Sequence, residues 1–237
     1  MKKTFAALLA LTVLGLAGCT DEEAERRAAK EREQAQRTAR EAVSTRLAPE
    51  IRKLVGKVDQ LRALVASVPR AASDGAPPST EPKMKLSELK TDDKAGNADV
   101  LFTYELPMLK RGMIGTANYY LRQGSSDVTA ELLEDVYARA LRTRYFLVVR
   151  ADEQKKPKIS GGSSYTDGSL DGDVVVFDLG QDPPKALGSF PVTAELTTTV
   201  KVRANADRES VQYALDEALR ETALSAIDKV LSKQLAP

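Results

Sequence analysis

From Phe190 to Arg203 the chain alternates with a period of two. Phe190, Val192, Ala194, Leu196, Val200 and Val202 fall on one side. Thr193, Glu195, Thr197, Thr199, Lys201 and Arg203 fall on the other, and Thr198 alone interrupts the apolar side. Successive side chains of a strand point to opposite faces, so this pattern describes a long strand with one buried and one wet face. Such strands belong to antiparallel sheets, because parallel sheets are covered on both sides. The alternation therefore commits the C-terminal part of the chain to a sheet.

The neighbouring segments supply the rest of a domain over residues 99–237. Val100, Phe102, Tyr104 and Leu106 alternate with Leu101, Thr103 and Glu105, which predicts a first strand, and Ile114 to Leu121 reads as a second. Tyr145 to Val149 is continuously apolar, as a central strand covered on both sides would be, and Val174 to Leu179 is another. Asp182-Pro183-Pro184 falls where a hairpin connection is needed. Ser126 or Asp127 can cap a helix through Leu132, Leu133, Val136, Tyr137 and Leu141. Asp207 can cap a last helix to about Leu235, with Glu209 in its first turn and Lys229 and Lys233 near its end. Val211, Leu215, Leu219, Ala223, Ile227 and Leu231 form its stripe. The expectation is an α+β domain, an antiparallel sheet with two helices on one face.

A long helix, or a short coiled coil, is expected before this domain. Residues 21–46 are rich in Ala, Glu, Arg and Gln, all strong helix formers. Glu22–Arg26, Glu23–Arg27 and Glu33–Arg37 stand at i,i+4 with the acid first. That half is polar all round, as a solvent-exposed spacer is. Leu47, Ile51, Leu54, Val58, Leu61, Val65 and Val68 then repeat in steps of four and three, a heptad seam. The seam suits a second copy or a partner helix, and equally suits packing on the chain's own domain. Pro49 predicts a bend or restart near Ala48. If extended, residues 21–68 reach about 70 Å. Residues 69–98 carry Pro69, Pro77, Pro78 and Pro82 among small and charged residues, and read as a tether.

The chain starts with Met1-Lys2-Lys3 and an apolar run from Phe5 to Leu16. A bilayer-spanning helix takes roughly 20 residues, so this shorter run reads as a secretory signal. It ends in Leu16-Ala17-Gly18-Cys19, which resembles the lipobox of bacterial lipoproteins. The resemblance implies cleavage before Cys19, a diacylglyceryl group on its thiol and acylation of the freed amine. Two or more acyl chains anchor stably where one does not. Within that family an Asp after the cysteine is associated with inner-membrane retention. Thr20 stands there and Asp21 comes one later, which implies the periplasmic face of the outer membrane. Cys19 is the only cysteine, so the chain has no internal disulfide. The sequence ends Leu235-Ala236-Pro237, without the terminal lysine that joins murein lipoprotein to peptidoglycan.

Composition narrows the function. The formal net charge of +1 carries no basic footprint for nucleic acid. There is no histidine, which removes the usual general base and the commonest transition-metal ligand. No phosphate-cradling glycine loop occurs. In the segment Asp167 to Gly172, with Ser169 inside it, Asp167, Asp171 and Asp178 loosely match a calcium loop with carboxylates at positions 1, 5 and 12, and Asp173 falls where that loop uses a backbone carbonyl. Position twelve is Asp rather than Glu, and a strand follows, so a solvated turn fits the same residues. Lys110-Arg111-Gly112 and Lys155-Lys156-Pro157-Lys158 are small basic clusters suited to anionic headgroups, to peptidoglycan or simply to solvent. With no cofactor and no catalytic residue expected, the leading reading is a non-catalytic envelope lipoprotein that binds or assembles. The alternatives are a carboxylate- or cation-dependent hydrolase and a homo-oligomer built through the seam.

Overall fold

The computed structural model describes residues 21–71, 96–109, 111–124, 126–159, 165–166, 168–196 and 206–233. The elements are α1 (Asp21–Ser67), β1 (Ala98–Phe102), α2 (Gly112–Gln123), α3 (Ala130–Arg142), β2 (Tyr145–Lys155), β3 (Lys158–Ile159), β4 (Tyr165–Thr166), β5 (Ser169–Asp178), β6 (Lys185–Glu195) and α4 (Arg208–Lys233). The fold is α+β. Its main sheet has the order β1-β2-β5-β6 and is mostly antiparallel; β1 alone runs parallel to its neighbour. The small β3–β4 pair stands apart.

Helices cover both faces of the sheet rather than one. Leu101, Phe146, Val148, Val175 and Phe177 point to the side held by α1, α2 and α3. Val100, Leu147, Val149, Val174 and Val176 point to the side where Ala223, Ile227 and Leu231 of α4 pack. The continuously apolar centres of β2 and β5 require this, since neither face of those strands can be left to water. Two helix starts follow their caps. Asp207 accepts the Ser210 amide at 2.7 Å, as expected. Thr129, rather than Ser126 or Asp127, caps α3 by accepting the Leu132 amide at 3.3 Å.

Two segments differ from the sequence reading, and a third agrees with it as far as Glu195. Ile114 to Leu121 is helical, within α2, where Ile114, Ala117 and Asn118 are buried and Leu121 partly so. That spacing is the helical one. The strand starting near Val100 stops at Phe102, leaving Tyr104 exposed. The alternation from Phe190 is a strand through Glu195, within β6; residues 197–205 lie outside the described set.

The seam packs on the chain's own domain. Ile51, Leu54, Val58, Leu61 and Val65 are buried in one core with α2, α3 and the sheet, and Leu47 and Val68 pack at its margin. No exposed seam is thus left for a second copy in this arrangement. The helix runs unbroken through Pro49. The expected spacer is therefore part strut and part core: residues 23–35 are exposed, and docking begins around Gln36, whose side chain accepts the Ala130 amide at 3.3 Å. Arg40 donates to the Ser126 and Val128 carbonyls, Lys57 to Leu179, and Arg62 to Leu106 and Pro107. Of the expected tether, Pro69–Ala71 lie against the sheet and residues 72–95 fall outside the described set.

The C-terminus of α1 has no basic residue in its last turn. Arg150 of β2 supplies the cation from across the fold. Its Nη1 donates to the carbonyls of Val65 at 2.9 Å and Val68 at 2.6 Å, and its Nη2 donates to Pro69 at 3.0 Å. The remaining donors meet Asp173, with Nε to Oδ1 at 2.8 Å and Nη2 to Oδ2. All five guanidinium donors are thereby used. Asp173 also accepts the Ala71 amide at 3.0 Å. Arg150→Met, which leaves Asp173 buried without its main partner, is expected to cost about 3–5 kcal/mol. Urea denaturation checks this, with a double-mutant cycle against Asp173→Asn expected to return a coupling above about 1 kcal/mol.

Candidate binding groove

The residues singled out in the sequence do not form one site. Cys19, the lipobox and Asp167 lie outside the described residues. Asp171, Asp173 and Asp178 sit along extended β5 and engage separate partners: Asp171 accepts from Thr193, Asp173 pairs with Arg150, and Asp178 lies 3.5 Å from Arg144 and accepts the Gly180 amide. Ser169 opens the same strand opposite Glu195. An extended strand cannot wrap its carboxylates around one ion, and no metal-holding cluster occurs among the described residues. Of the basic clusters, Lys155 and Lys156 are exposed at the end of β2, and Arg111 is drawn into a different arrangement.

That arrangement lies between α4 and the connection from β1 to α2. Glu105 follows β1 in a turn and accepts the Phe102 amide on Oε2 at 2.9 Å. Its Oε1 faces Arg111 Nε at 3.3 Å and Arg220 Nε at 3.4 Å, the latter without hydrogen-bond alignment. Glu217, on α4, pairs with Arg111 and lies 3.8 Å from Arg220. Two carboxylates and two guanidiniums thus alternate across the groove floor, and pairing with Glu217 raises the Arg111 pKa above its ordinary value. Arg220 also lies 5.8 Å over the Phe102 ring, a cation–π contact.

Two adjoining hollows share Arg111, Glu217 and Arg220, with volumes of about 320 and 420 Å³. Tyr104, Met108 and Tyr213 stand over the first, 55, 53 and 63 % exposed. Among the described residues the other exposed large apolar side chains are Tyr119, Leu132 and Leu141 on α2 and α3, so half of the set gathers at one cleft. Volumes of this size fall at the lower end of ligand-binding clefts. Sequence reasoning missed this site. The alternation after Val100 puts Tyr104 within a strand, and Tyr213 lies off the apolar stripe of α4, the one sequence signal that marks the cleft.

Asp99 closes the second hollow. It is 5 % exposed and accepts the Val100 amide at 3.0 Å and the Ile114 amide at 3.0 Å. The second bond caps α2 from β1, a task that Arg111 at the helix start does not perform with its own side chain. Gly112 permits the approach: its φ is +75°, and a Cβ there would lie 2.1 Å from Asp99 Oδ1. Burial pushes the Asp99 carboxyl from 3.8 up to about 6, against the lowering pull of the two amides and Arg220.

No family model matches the chain, and no curated protein matches it. The structure of a hypothetical protein from Chlamydia trachomatis aligns over 44 % of this chain and 61 % of that one, at 14 % identity and a TM-score of 0.23. So low a score says nothing about fold or function.

A folded-state pKa above the unfolded value means that the folded chain binds the proton more tightly. The stability gained from protonated Asp99 is full below about pH 3.8 and lost as pH rises through about 6. The loss amounts to ~3 kcal/mol. Asp99→Asn is expected to remove that slope. Urea unfolding of both proteins across pH 3.5–7 checks it, with the wild type losing stability relative to the variant as pH rises; parallel curves would contradict the assignment.

Proposed function

We propose that the chain is an envelope lipoprotein, held by acyl chains on Cys19 at the periplasmic face of the outer membrane, that works by binding a partner and not by catalysis. The observation that carries the binding half is the cleft under Tyr104, Met108 and Tyr213. Aromatic and methionine side chains are enriched at interfaces, where tyrosine brings large contact area at small entropic cost and methionine adapts to the shape it meets. The floor beneath them is a charge-balanced set of carboxylates and guanidiniums, which suits orientation of a partner. Without histidine in the chain, a proton-transfer reading lacks its usual agent.

The lipobox supports the anchoring half, and α1 relates the two. Arg62 holds the Leu106 and Pro107 carbonyls beside the cleft, so the cleft sits near the level of residue 62 along α1. From Asp21 that is about 60 Å of helix. With α1 standing on the bilayer, the groove would be held well clear of the headgroups. Anchoring would also raise its effective concentration toward anything on the same membrane or layered above it.

Metabolic labelling tests the anchor: wild-type chain is expected to incorporate labelled palmitate, and Cys19→Ser to incorporate none. Equal labelling of both sinks that half. A photo-crosslinking residue at position 213 tests the other. In the native envelope it is expected to give one discrete adduct that the same group at exposed Glu25 does not give. Identical patterns from both positions would count against the groove.

A further inference from the structure

The first hollow has an aromatic rim and a charged floor. Tyr104 packs against the Phe102 ring, with centroids 5.5 Å apart and planes tilted by 31°. Its ring is thereby backed from within the fold while more than half of the side chain is open to water. Tyr213 lines the same hollow from α4 and is held only loosely, its hydroxyl accepting from Arg111 Nη2 at 3.4 Å. The floor is formed by Glu105, Arg111, Glu217 and Arg220. Several of their contacts are long. Arg111 Nε stands 3.3 Å from Glu105 Oε1, Arg220 Nε 3.4 Å from the same oxygen without alignment, and Arg220 Nη1 3.8 Å from Glu217 Oε1. Charge-assisted hydrogen bonds close to about 2.7–2.9 Å. Donors and acceptors of this floor thus lie side by side with hydrogen-bonding capacity left over.

We infer that the cleft binds a neutral saccharide, with the C–H face of a sugar ring stacked on Tyr104 and Tyr213 and its hydroxyls bridging the carboxylates and guanidiniums of the floor. This names the ligand class of the binding reading above and rests on it. The depth profile of the site selects the chemistry. An apolar anchor pressed to the floor would strip water from charged groups and return no hydrogen bond. A ligand of one charge would meet its own sign beside each opposite one. A hydroxyl donates once and accepts through two lone pairs. One hydroxyl can therefore take an arginine N–H and give its proton to the neighbouring carboxylate, and adjacent hydroxyls of a ring can repeat this along Glu105, Arg111, Glu217 and Arg220. An extended peptide fits less well, because successive residues point in opposite directions and only every second one meets a given surface. The tyrosines then bury the ring face that carries C–H groups alone. The second hollow shares Arg111, Glu217 and Arg220 with the first, so a further ring of the same chain has a place beside it.

Calorimetric titration of the full chain tests this, in a zwitterionic detergent that carries no sugar headgroup. The probes are a β-linked tetramer of glucose, the matching tetramer of N-acetylglucosamine, and sorbitol, which has the hydroxyls without the ring. At least one tetramer is expected to bind with a Kd below about 1 mM, and sorbitol to show no saturation in that range. The two tetramers together tell whether an acetamide takes part. Tyr104→Ala and Tyr213→Ala, both at exposed positions that leave the core intact, are each expected to weaken binding about tenfold, or about 1.4 kcal/mol. Glu217→Gln, which exchanges a charged acceptor for a neutral one, is expected to weaken it by about the same factor. Sorbitol binding as tightly as the tetramers overturns the inference, and so does tetramer binding indifferent to both tyrosine variants. Should neither tetramer bind, the saccharide assignment fails, while palmitate labelling and crosslinking at position 213 decide separately whether the anchored binding module stands.

Discussion

Arg150 and Asp173 face each other directly across β2 and β5, on the side of the sheet that α1 covers. A charge pair in that position is expensive to desolvate, and many buried pairs fail to recover the cost from their mutual attraction. This one has a second task. The last turn of a helix presents carbonyls with no intrahelical partner, and the summed peptide dipoles place partial negative charge there. Buried against a sheet, those carbonyls would be left unsatisfied. The Arg150 guanidinium takes the Val65 carbonyl in that turn and the Val68 and Pro69 carbonyls just beyond it, while its other donors hold Asp173, and Asp173 in turn accepts the amide of Ala71. Arg70 extends the set outward, with Asp173 at 3.3 Å and Asp152 at 2.5 Å. The pair thus lets a helix end inside the protein, and the α1 seam can lie flat on the sheet because its terminus is satisfied there. Gly172 belongs to the same device: a Cβ at that position would meet the Arg150 carbonyl at 2.1 Å.

Much of the architecture was legible because it rests on burial periods. Tyr145 to Val149 reads as a doubly covered strand and is one; Asp207 reads as a cap and is one. The limits were equally physical. A heptad seam states that one face of a helix must be covered, and says nothing about by what; the chain's own sheet and a second copy satisfy the same period. Asp173 reads as part of a solvated or calcium-type loop because Asp and Gly cluster around it, whereas its partner, Arg150, stands 23 residues away and only strand pairing brings it near. Ile114 to Leu121 carries enough apolar residues for a strand, but its burial at Ile114, Ala117 and Asn118 has the helical spacing. The groove was the least legible part. Its floor joins a turn after β1, the start of α2 and the middle of α4, and nothing local in any of the three marks them as neighbours.

Continuity between α1 and the core bears on how an anchored module of this kind would behave. A flexible tether between spacer and domain would leave the domain free to sample all orientations, with a local concentration falling with tether length. Here the inner face of the same helix, from Val43 to Val65, is packed into the domain, and the exposed strut is its N-terminal extension. The orientation of the groove relative to α1 is then set by side-chain packing, together with the clasps from Arg40, Lys57 and Arg62. What freedom the strut keeps lies in the bending of a polar helix.

Arg111 is where support and groove meet. It occupies the residue before α2, its own side chain leaves the helix uncapped, and Asp99 performs the capping from β1. Freed from that task, the guanidinium reaches across to Glu217 and Glu105 and closes the floor. The exchange depends on a glycine: any side chain at position 112 would collide with the Asp99 carboxylate and strain a left-handed backbone. Ionisation of Asp99 therefore bears on two things at once, the start of α2 and the charge at the base of the second hollow. The carboxyl is buried enough for its charge to be costly, yet the helix it caps favours the charged form, because amides donate more strongly to a carboxylate than to a neutral acid. Its position near pH 6 reflects that opposition, with burial the larger effect. The groove thus has part of its own charge set by the same residue that holds one of its walls in place.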